Sequence, residues 1–436
     1  MNRFSGAYLQ KWLAAAFCVY AVLNLISMAT MSIGLASLAL PLLLGIPVIF
    51  VGFPWQNSGV RNFGWASLFL TWACAMSLMI AWFFPLVFKG QISEIHFLAD
   101  ITKAFYLFLP LFFVAGLANV GTENRSRILA AWLITFGLLG LVGAVQHFTG
   151  WPRPQFIPGN ETRFHATLFL GHHLSVASIF LFPTFFCLEA ALSPREVVDE
   201  AIAGGGAGPA YFLARWPRAI WIALSVLGIL VLFLTYSRNA WISVPIGLTV
   251  WMLWALPKRW KFGVAALFCL LVGGFAIQPA IQKRLGDALG ISTRAEIWEA
   301  NLFFLRERPL TGTGWHHNLE LSGIYLLEKH PETNDVFSGH AHNNLLEMLA
   351  STGILGTAAW LIWCGWIFVL LYRLATQHGH RAARGFFCAW VVFHIQGLTQ
   401  VNFWESKVLH QIMWTTAWVL LWTIQQNREG ARRSGA

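Results

Sequence analysis

The stretch Ser338-Gly339-His340-Ala341-His342-Asn343-Asn344 ends the one long hydrophilic interval of this chain, which begins at about Gln278. Most of the sequence on either side of that interval is apolar. The interval contains paired histidines, several arginines and a Pro/Gly turn, and a new apolar run begins directly after it. We therefore expect the apolar remainder to hold this interval at a membrane surface.

The composition excludes an ordinary soluble domain. Only 11% of the 436 residues are charged and 57% are hydrophobic, whereas about 25% of the residues of soluble domains are charged. Such a chain cannot cover a water-facing surface, which indicates an integral membrane protein. The net charge of +10 does not indicate nucleic-acid binding, because the basic residues lie in short loops between apolar runs.

A helix needs about 20 apolar residues to cross the bilayer. Runs of that size predict an all-α integral membrane protein with about twelve transmembrane helices. The sixth and tenth runs are long, so we expect tilt or a broken end there. The runs lie at residues 11–31, 33–53, 63–84, 104–119, 127–148, 166–192, 216–235, 240–256, 262–278, 345–372, 384–403 and 408–424.

The spans divide the chain into three parts. Residues 1–278 hold spans one to nine, residues 279–344 form a long and partly helical loop, and residues 345–436 hold the last three spans and a tail. A glycine-rich segment within 193–215 predicts a flexible cytoplasmic linker, because no strand precedes it and no phosphate-loop lysine follows it.

The basic residues predict the orientation. One set of loops carries 17 of the 29 Lys and Arg residues and the other carries 12, of which six lie in the loop 279–344. Long loops count little in this rule, so the comparison is 17 against 6. Both termini are therefore predicted to be cytoplasmic, and the long loop to face outward, which is into the periplasm if the source is a Gram-negative bacterium.

Two arginines lie at outward junctions next to apolar helices. Arg238 lies in Leu234-Thr235-Tyr236-Ser237-Arg238-Asn239, between two predicted spans. A charge so close to hydrocarbon marks a functional candidate, although an interfacial anchor that reaches the headgroups fits the position equally well. Arg163, at the outer end of the sixth span, is another candidate phosphate contact.

The long loop carries a further arginine. Thr293 and Glu296 form a capping-box pattern that predicts a helix from about Thr293 to Arg306. Arg294 would then lie in the first turn, where free backbone N–H groups and its guanidinium suit phosphate oxygens. On spacing alone, a solvated surface charge is the simpler interpretation.

His342 comes just before the tenth span. Asn344 and Glu347 form a predicted N-cap pair for that helix. A neutral imidazole at such a place can accept a proton from a hydroxyl near neutral pH. Two other interpretations stay open: a structural histidine, and a metal site with His340, although the nearby acids match no ligand pattern.

Other polar residues bear on the class of function. His172 and His173 fall inside the predicted sixth span, where packing is at least as good an interpretation as chemistry. The sequence has no ATP site, redox centre or Ser-His-Asp pattern, and sparse acids within the spans weaken a transporter. Arginines that hold a diphosphate, together with a base for an incoming hydroxyl, suit glycosyl transfer from a lipid-linked sugar.

In their order and depth these segments resemble the O-antigen ligase and polymerase superfamily, and so does the layout of about twelve spans with one long late loop. The additional His340, which gives His-x-His-Asn, is more similar to the ligases. The matching segments are Ser237-Arg238-Asn239-Ala240-Trp241, Arg294 with Trp298, Arg308-Pro309-Leu310-Thr311-Gly312-Thr313-Gly314, His342-Asn343-Asn344 with Glu347, and Gly353-Ile354-Leu355-Gly356.

The resemblance implies a metal-independent, inverting glycosyltransferase without a cofactor. It would move O-antigen from undecaprenyl diphosphate to a hydroxyl of lipid A–core at the periplasmic face of the bacterial inner membrane. Polymerases and protein O-oligosaccharyltransferases share most of these features, so the acceptor stays open; a lipid-linked glycan transporter is the alternative without chemistry. By the resemblance the general base is His342, the diphosphate-binding residues are Arg238, Arg294 and Arg163, and the supporting residues are His340 and Asn343.

Overall fold

Helices make up nearly all of the described chain in this computed structural model. Three sequence features fall outside the described residues: the glycine-rich part of the linker, the beginning of the polar interval, and Ser338. The residues that the structure describes are 3–44, 55–88, 91–92, 95, 97–157, 160–202, 212–276, 289–329 and 339–433.

The described residues form seventeen α-helices. Their bounds are α1 (Arg3–Leu23), α2 (Met28–Leu44), α3 (Ser58–Phe83), α4 (Phe97–Ile101), α5 (Leu109–Asn119), α6 (Thr122–Thr149), α7 (His173–Ile179), α8 (Leu181–Leu192), α9 (Pro194–Ile202), α10 (Arg218–Leu234), α11 (Arg238–Ala255), α12 (Lys258–Ala276), α13 (Leu289–Glu307), α14 (Asn318–Lys329), α15 (Asn344–Gln377), α16 (Arg381–Gln396) and α17 (Ser406–Arg433).

Short elements occupy two of the connections between the longer helices. Strand β1 (Val87–Phe88) pairs antiparallel with β2 (Gln91–Ile92), and β3 (Phe156–Ile157) with β4 (Asn160–Phe164). Two 3₁₀ segments cover Thr102–Phe108, which leads into α5, and Phe212–Arg215.

A helix lies at each of the twelve predicted span positions. Within the described residues, five helical segments are by themselves long and apolar enough to cross a membrane, and α1, α2 and α10 contain shorter apolar stretches. The prediction of an all-α, multi-pass membrane protein is confirmed, whereas the count of twelve spans stays a prediction. The five segments are Ser58–Phe83, Thr102–Asn119, Thr122–Thr149, His173–Leu192 and Asn344–Gln377.

Both long runs are interrupted, as their length predicted. The sixth contains α7 and α8, which meet at Phe180. It begins at His173 and not at residue 166, because the Gln146 side chain accepts two backbone N–H groups from the preceding turn. The tenth forms α15, whose backbone is non-helical at Gly353 (φ 64°, ψ −166°).

Two other predictions were wrong in detail. The first helix ends at Leu23 and not near residue 31, because hydrogen bonds between Ser27 and Thr30 start α2 inside the same apolar run. The predicted linker 193–215 begins with α9, whose buried face packs against α8. Hydropathy does not distinguish one helix from two across a tight polar turn.

Helix α15 organises the region that holds the candidate residues. It packs against α3, α13 and α16, and α16 packs in turn against α8 and α11. The first residues of α7, α11, α15 and α17 therefore gather at one end of the bundle, the end predicted to face outward.

Candidate active site

Two hydrogen bonds fix the backbone of Ala341, and they thereby position the two histidines on either side of it in the chain. Its carbonyl accepts a 2.6 Å hydrogen bond from Nε1 of Trp298 on α13. Its N–H donates to Oε2 of Glu347 on α15 at 2.8 Å. The long loop and the first turn of α15 are thereby joined at the histidine pair.

His342 has a φ of 47°, in the left-handed region that residues other than glycine rarely adopt. Such a backbone persists only where the surroundings hold it, and it is frequent at functional sites. Burial, and then the charges of Arg294 and His340, lower the pKa of His342 from 6.5 to about 4. The imidazole is therefore neutral at pH 7 and available to accept a proton.

His340 has the opposite electrostatic environment. Its Nδ1 lies 3.3 Å from Oε1 of Glu347, whose side chain is 1% exposed. A buried carboxylate requires a charged or hydrogen-bonding partner, and the hydrogen bond to it raises the pKa of His340. Two histidines with pKa values pushed in opposite directions are typical of acid–base sites.

Both histidines line a cavity of about 470 Å³ at the end of the bundle where α15 begins. Its volume is in the range of small-molecule sites. A larger cavity, of about 780 Å³, lies at the other end, between α9 and the start of α10, and contains no predicted site residue. The residues that line the smaller cavity are Gly171, His172, Leu174, His340, His342, Gln400, Val401, Glu405 and Lys407.

Arg294 approaches the cavity from α13. It lies one helical turn before Trp298, which binds Ala341, and its charge acts on His342. The capping-box prediction was wrong, because α13 begins at Leu289 and places Thr293 inside the helix. Arg294 is therefore in the second turn, where it acts through its guanidinium and not through a helix N-terminus.

Arg238 is the first residue of α11. Its neighbour Asn239 donates a 2.6 Å hydrogen bond to Oε1 of Gln400, which lines the cavity. Arg238 is thus tied to the cavity wall through the next residue in the chain.

Arg163 lies on β4. Its guanidinium carbon is 4.8 Å from the centre of the Phe148 ring, and its charge acts on Tyr236. It therefore lies beside the junction that leads into Arg238. None of the three predicted arginines is among the residues that line the cavity.

Residues 223–361 match the family model described as O-antigen ligase. The matched range runs from α10 into α15 and contains Arg238, Arg294 and His342. In this segment the chain is similar to the O-antigen ligase family.

A curated protein similar to this chain is the protein of Pseudomonas aeruginosa named O-antigen ligase. The two are 28% identical over 246 residues, which are 52% of this chain and 55% of the relative. The chain therefore spans about half the length of the curated relative that it matches.

The N-cap of α15 is Asn343 and not, as predicted, Asn344. The Asn343 Oδ1 accepts the N–H groups two and three residues further on, at 2.9 and 3.1 Å. Asn344 is instead buried and bonds with Asn402 through both ends of its amide, at 2.6 and 3.0 Å. Glu347 does not close a capping box, because it holds Ala341.

The segments 308–314 and 353–356 meet at the break in α15. Four backbone hydrogen bonds between the two stretches of chain pair N–H and C=O groups that the break leaves without helical partners. Non-helical backbone at membrane depth requires such partners. The predicted turn at 308–314 is therefore also a structural partner of α15. The four hydrogen bonds are Ile354 N–H to Pro309 O (2.8 Å), Leu355 N–H to Leu310 O (3.3 Å), Thr313 N–H to Ala350 O (3.0 Å) and Gly314 N–H to Ser351 O (3.0 Å).

Sequence reasoning missed the wall of the cavity that faces the histidine pair. His172 lies at the N-cap position of α7 and not inside a span. Glu405 and Lys407 flank the start of α17, and all three residues line the cavity. A signal was present, since Glu405 and Lys407 are charges at the outward end of the last apolar run.

The charge of Arg294 should affect the pH dependence of activity. His342 loses its base form as the pH falls through its pKa, which Arg294 lowers. Arg294→Ala should therefore raise that pKa and move the acid limb of kcat/KM to higher pH. The shift should be partial, because burial is the larger cause.

The measurement is kcat/KM between pH 4 and pH 8, with each variant normalised to its own maximum. Arg306→Ala removes an exposed charge from the same helix and should leave the profile unchanged. An unshifted profile in Arg294→Ala would show that Arg294 does not act on the titrating group.

Proposed function

We propose that the chain is an O-antigen ligase, which transfers O-antigen polysaccharide from undecaprenyl diphosphate to a hydroxyl of lipid A–core. The observation that carries this proposal is His342, which is neutral at pH 7, lines the 470 Å³ cavity and is within electrostatic reach of Arg294. Similarity to the O-antigen ligase family model and to the Pseudomonas aeruginosa protein named O-antigen ligase supports the class of reaction.

In the proposed mechanism, His342 removes the proton of the acceptor hydroxyl while the hydroxyl oxygen forms a bond to the anomeric carbon of the donor. The bond between that carbon and the diphosphate oxygen breaks in the same step, so the configuration inverts. Arg238 and Arg294 stabilise the charge that grows on the diphosphate, and Arg163 contributes from the neighbouring junction. His342 then releases the proton to solvent.

His340 and Asn343 have supporting roles in this proposal. His340 pairs with Glu347 next to the neutral base. Asn343 starts α15 and also donates to the carbonyl of Leu398 at 3.1 Å, which fixes the residue after His342. Both side chains therefore help to hold the geometry of the base.

The proposal also includes location. Both termini are cytoplasmic, the chain lies in the bacterial inner membrane, and the cavity opens to the periplasm. The distribution of Lys and Arg supports this orientation. The reaction needs no metal or cofactor, because diphosphate is already a good leaving group, so a chelator should leave the rate unchanged.

The test is transfer by the purified protein, given lipid-linked O-antigen and rough lipopolysaccharide. A glycan ladder on lipid A–core is expected. Longer lipid-linked chains without that transfer would instead establish a polymerase, and glycan on a pilin-like protein alone would establish a protein O-oligosaccharyltransferase. Movement of the lipid-linked glycan across vesicles with no new product would establish a transporter.

A further inference from the structure

Lys407 provides the ammonium group in the wall of the cavity that also holds His342. It lies in the first turn of α17, and Nζ donates a 2.7 Å hydrogen bond to the carbonyl of Leu170. Leu170 belongs to the turn before α7, next to Gly171 with φ 73°. An ammonium has three N–H donors, so this anchor orients Lys407 and leaves it further donor capacity.

Among the described residues that line the cavity, Lys407 is the one Lys or Arg side chain. The predicted diphosphate ligands Arg238, Arg294 and Arg163 lie around the cavity but not in its wall. The cationic form of His340 is paired with Glu347. A negatively charged substrate group inside the cavity would therefore find Lys407 as its strongest direct partner.

The position of Lys407 in its helix supports an anionic ligand. The N-terminus of a helix carries the positive end of the macrodipole, so a cation in the first turn costs stability. The same end attracts phosphate groups through free N–H groups and the dipole. An anion next to Lys407 would be stabilised by both positive charges and would relieve their repulsion.

Two other titratable side chains on this wall are Glu405 and His172. Glu405 accepts the hydroxyl of Ser175 on α7, which directs its carboxylate towards the start of that helix. Burial lowers the pKa of His172, so its imidazole is neutral at pH 7 and can exchange hydrogen bonds without adding charge.

We propose that Lys407 binds a phosphate group of the substrate that enters the cavity, opposite His342. This inference rests on the proposed function, because that function supplies the phosphate. Two sources fit the same chemistry: the diphosphate of the lipid-linked donor, and a phosphate on the acceptor glycolipid. In either case, Lys407 orients the substrate against the base.

The first test measures binding of inorganic diphosphate to the purified full-length protein, with Lys407→Met, Lys407→Gln and Lys407→Arg as variants. Loss of a charged hydrogen bond should weaken binding about tenfold or more in the Met and Gln variants, whereas Arg should retain most of it. Lys329→Met removes an exposed lysine on α14, paired with Glu299 at 2.5 Å, and should bind as the wild type does. Thermal melting identifies which of the two neutral variants folds normally.

The second test separates the sources. The KM for lipid-linked donor and the KM for acceptor are measured with intact acceptor and with phosphatase-treated acceptor. If the neutral Lys407 variants have a higher KM than the wild type for the donor alone, Lys407 binds the donor diphosphate. If their KM rises only for the intact acceptor, Lys407 binds a phosphate on the acceptor. Unchanged KM values, or wild-type affinity for diphosphate in a folded neutral variant, would overturn the inference. Absence of transfer by the wild type would defeat the proposed function alone, because diphosphate binding is measured without transfer.

Discussion

Replacing His342 with alanine should abolish glycan transfer while leaving the lipid-linked donor bound. General-base catalysis contributes about 10²–10⁴ in rate, and His342 is the neutral imidazole in the cavity wall next to Arg294. The donor is held mainly through its diphosphate in this proposal, so binding should survive. Single-turnover transfer and equilibrium binding of the donor, measured in parallel, check the two halves of the prediction.

A second substitution separates the base from the backbone. The φ of 47° at His342 suits asparagine better than alanine. His342→Asn should therefore keep the local backbone but still lack a base at neutral pH, and it should be as inactive as His342→Ala. If His342→Asn retains most of the wild-type rate, the histidine is structural and the assigned base is wrong.

Gly353→Ala should be the most destabilising of the glycine substitutions compared here. A Cβ at Gly353 would lie 2.4 Å from the carbonyl carbon of Leu310, and the backbone φ is 64°. These backbone atoms cannot move away without breaking the hydrogen bonds between α15 and the turn at 308–314. We expect a loss on the order of 3 kcal/mol or more, seen as a lower melting temperature in detergent together with lost transfer.

Two glycines of the same region provide matched controls. Gly365 lies in the same helix with open space at its Cβ position, so Gly365→Ala should melt at the wild-type temperature or slightly above it, because alanine favours a helix over glycine. Gly379 has a similar φ of 66° but also open space, so Gly379→Ala should show the backbone strain alone, about 1 kcal/mol. If Gly353→Ala melts like Gly379→Ala, the close contact with Leu310 does not constrain the protein.

Hydropathy predicted much of the fold because membrane insertion depends on local composition. Twenty apolar residues satisfy the bilayer thickness wherever they occur, and a helix lies at each predicted position. The predicted first and last residues of the helices were less accurate. The loop helix that was predicted to end at about Arg306 ends at Glu307, whereas the capping box failed to predict its start, since α13 begins four residues before Thr293.

The candidate residues were predictable in kind but not in arrangement. The resemblance selected His342, Arg238 and Arg294, and the matched family range contains all three. Their relation to one cavity depends on contacts between distant segments, such as the hydrogen bonds of Asn239 with Gln400 and of Trp298 with Ala341. Lys407 could not be ranked from the sequence, because one lysine at the end of an apolar run is equally consistent with a headgroup anchor.

A multi-pass helical membrane protein and its short polar segments could be recognised from the sequence alone, because apolar length and charge are properties of each segment. The tertiary structure decided which partners those polar groups take. Asn344 binds Asn402 instead of capping α15, Glu347 holds Ala341 and His340, and the turn at 308–314 completes the broken helix. Buried polar groups must find hydrogen-bond partners, and only the packed bundle determines which partners are within reach.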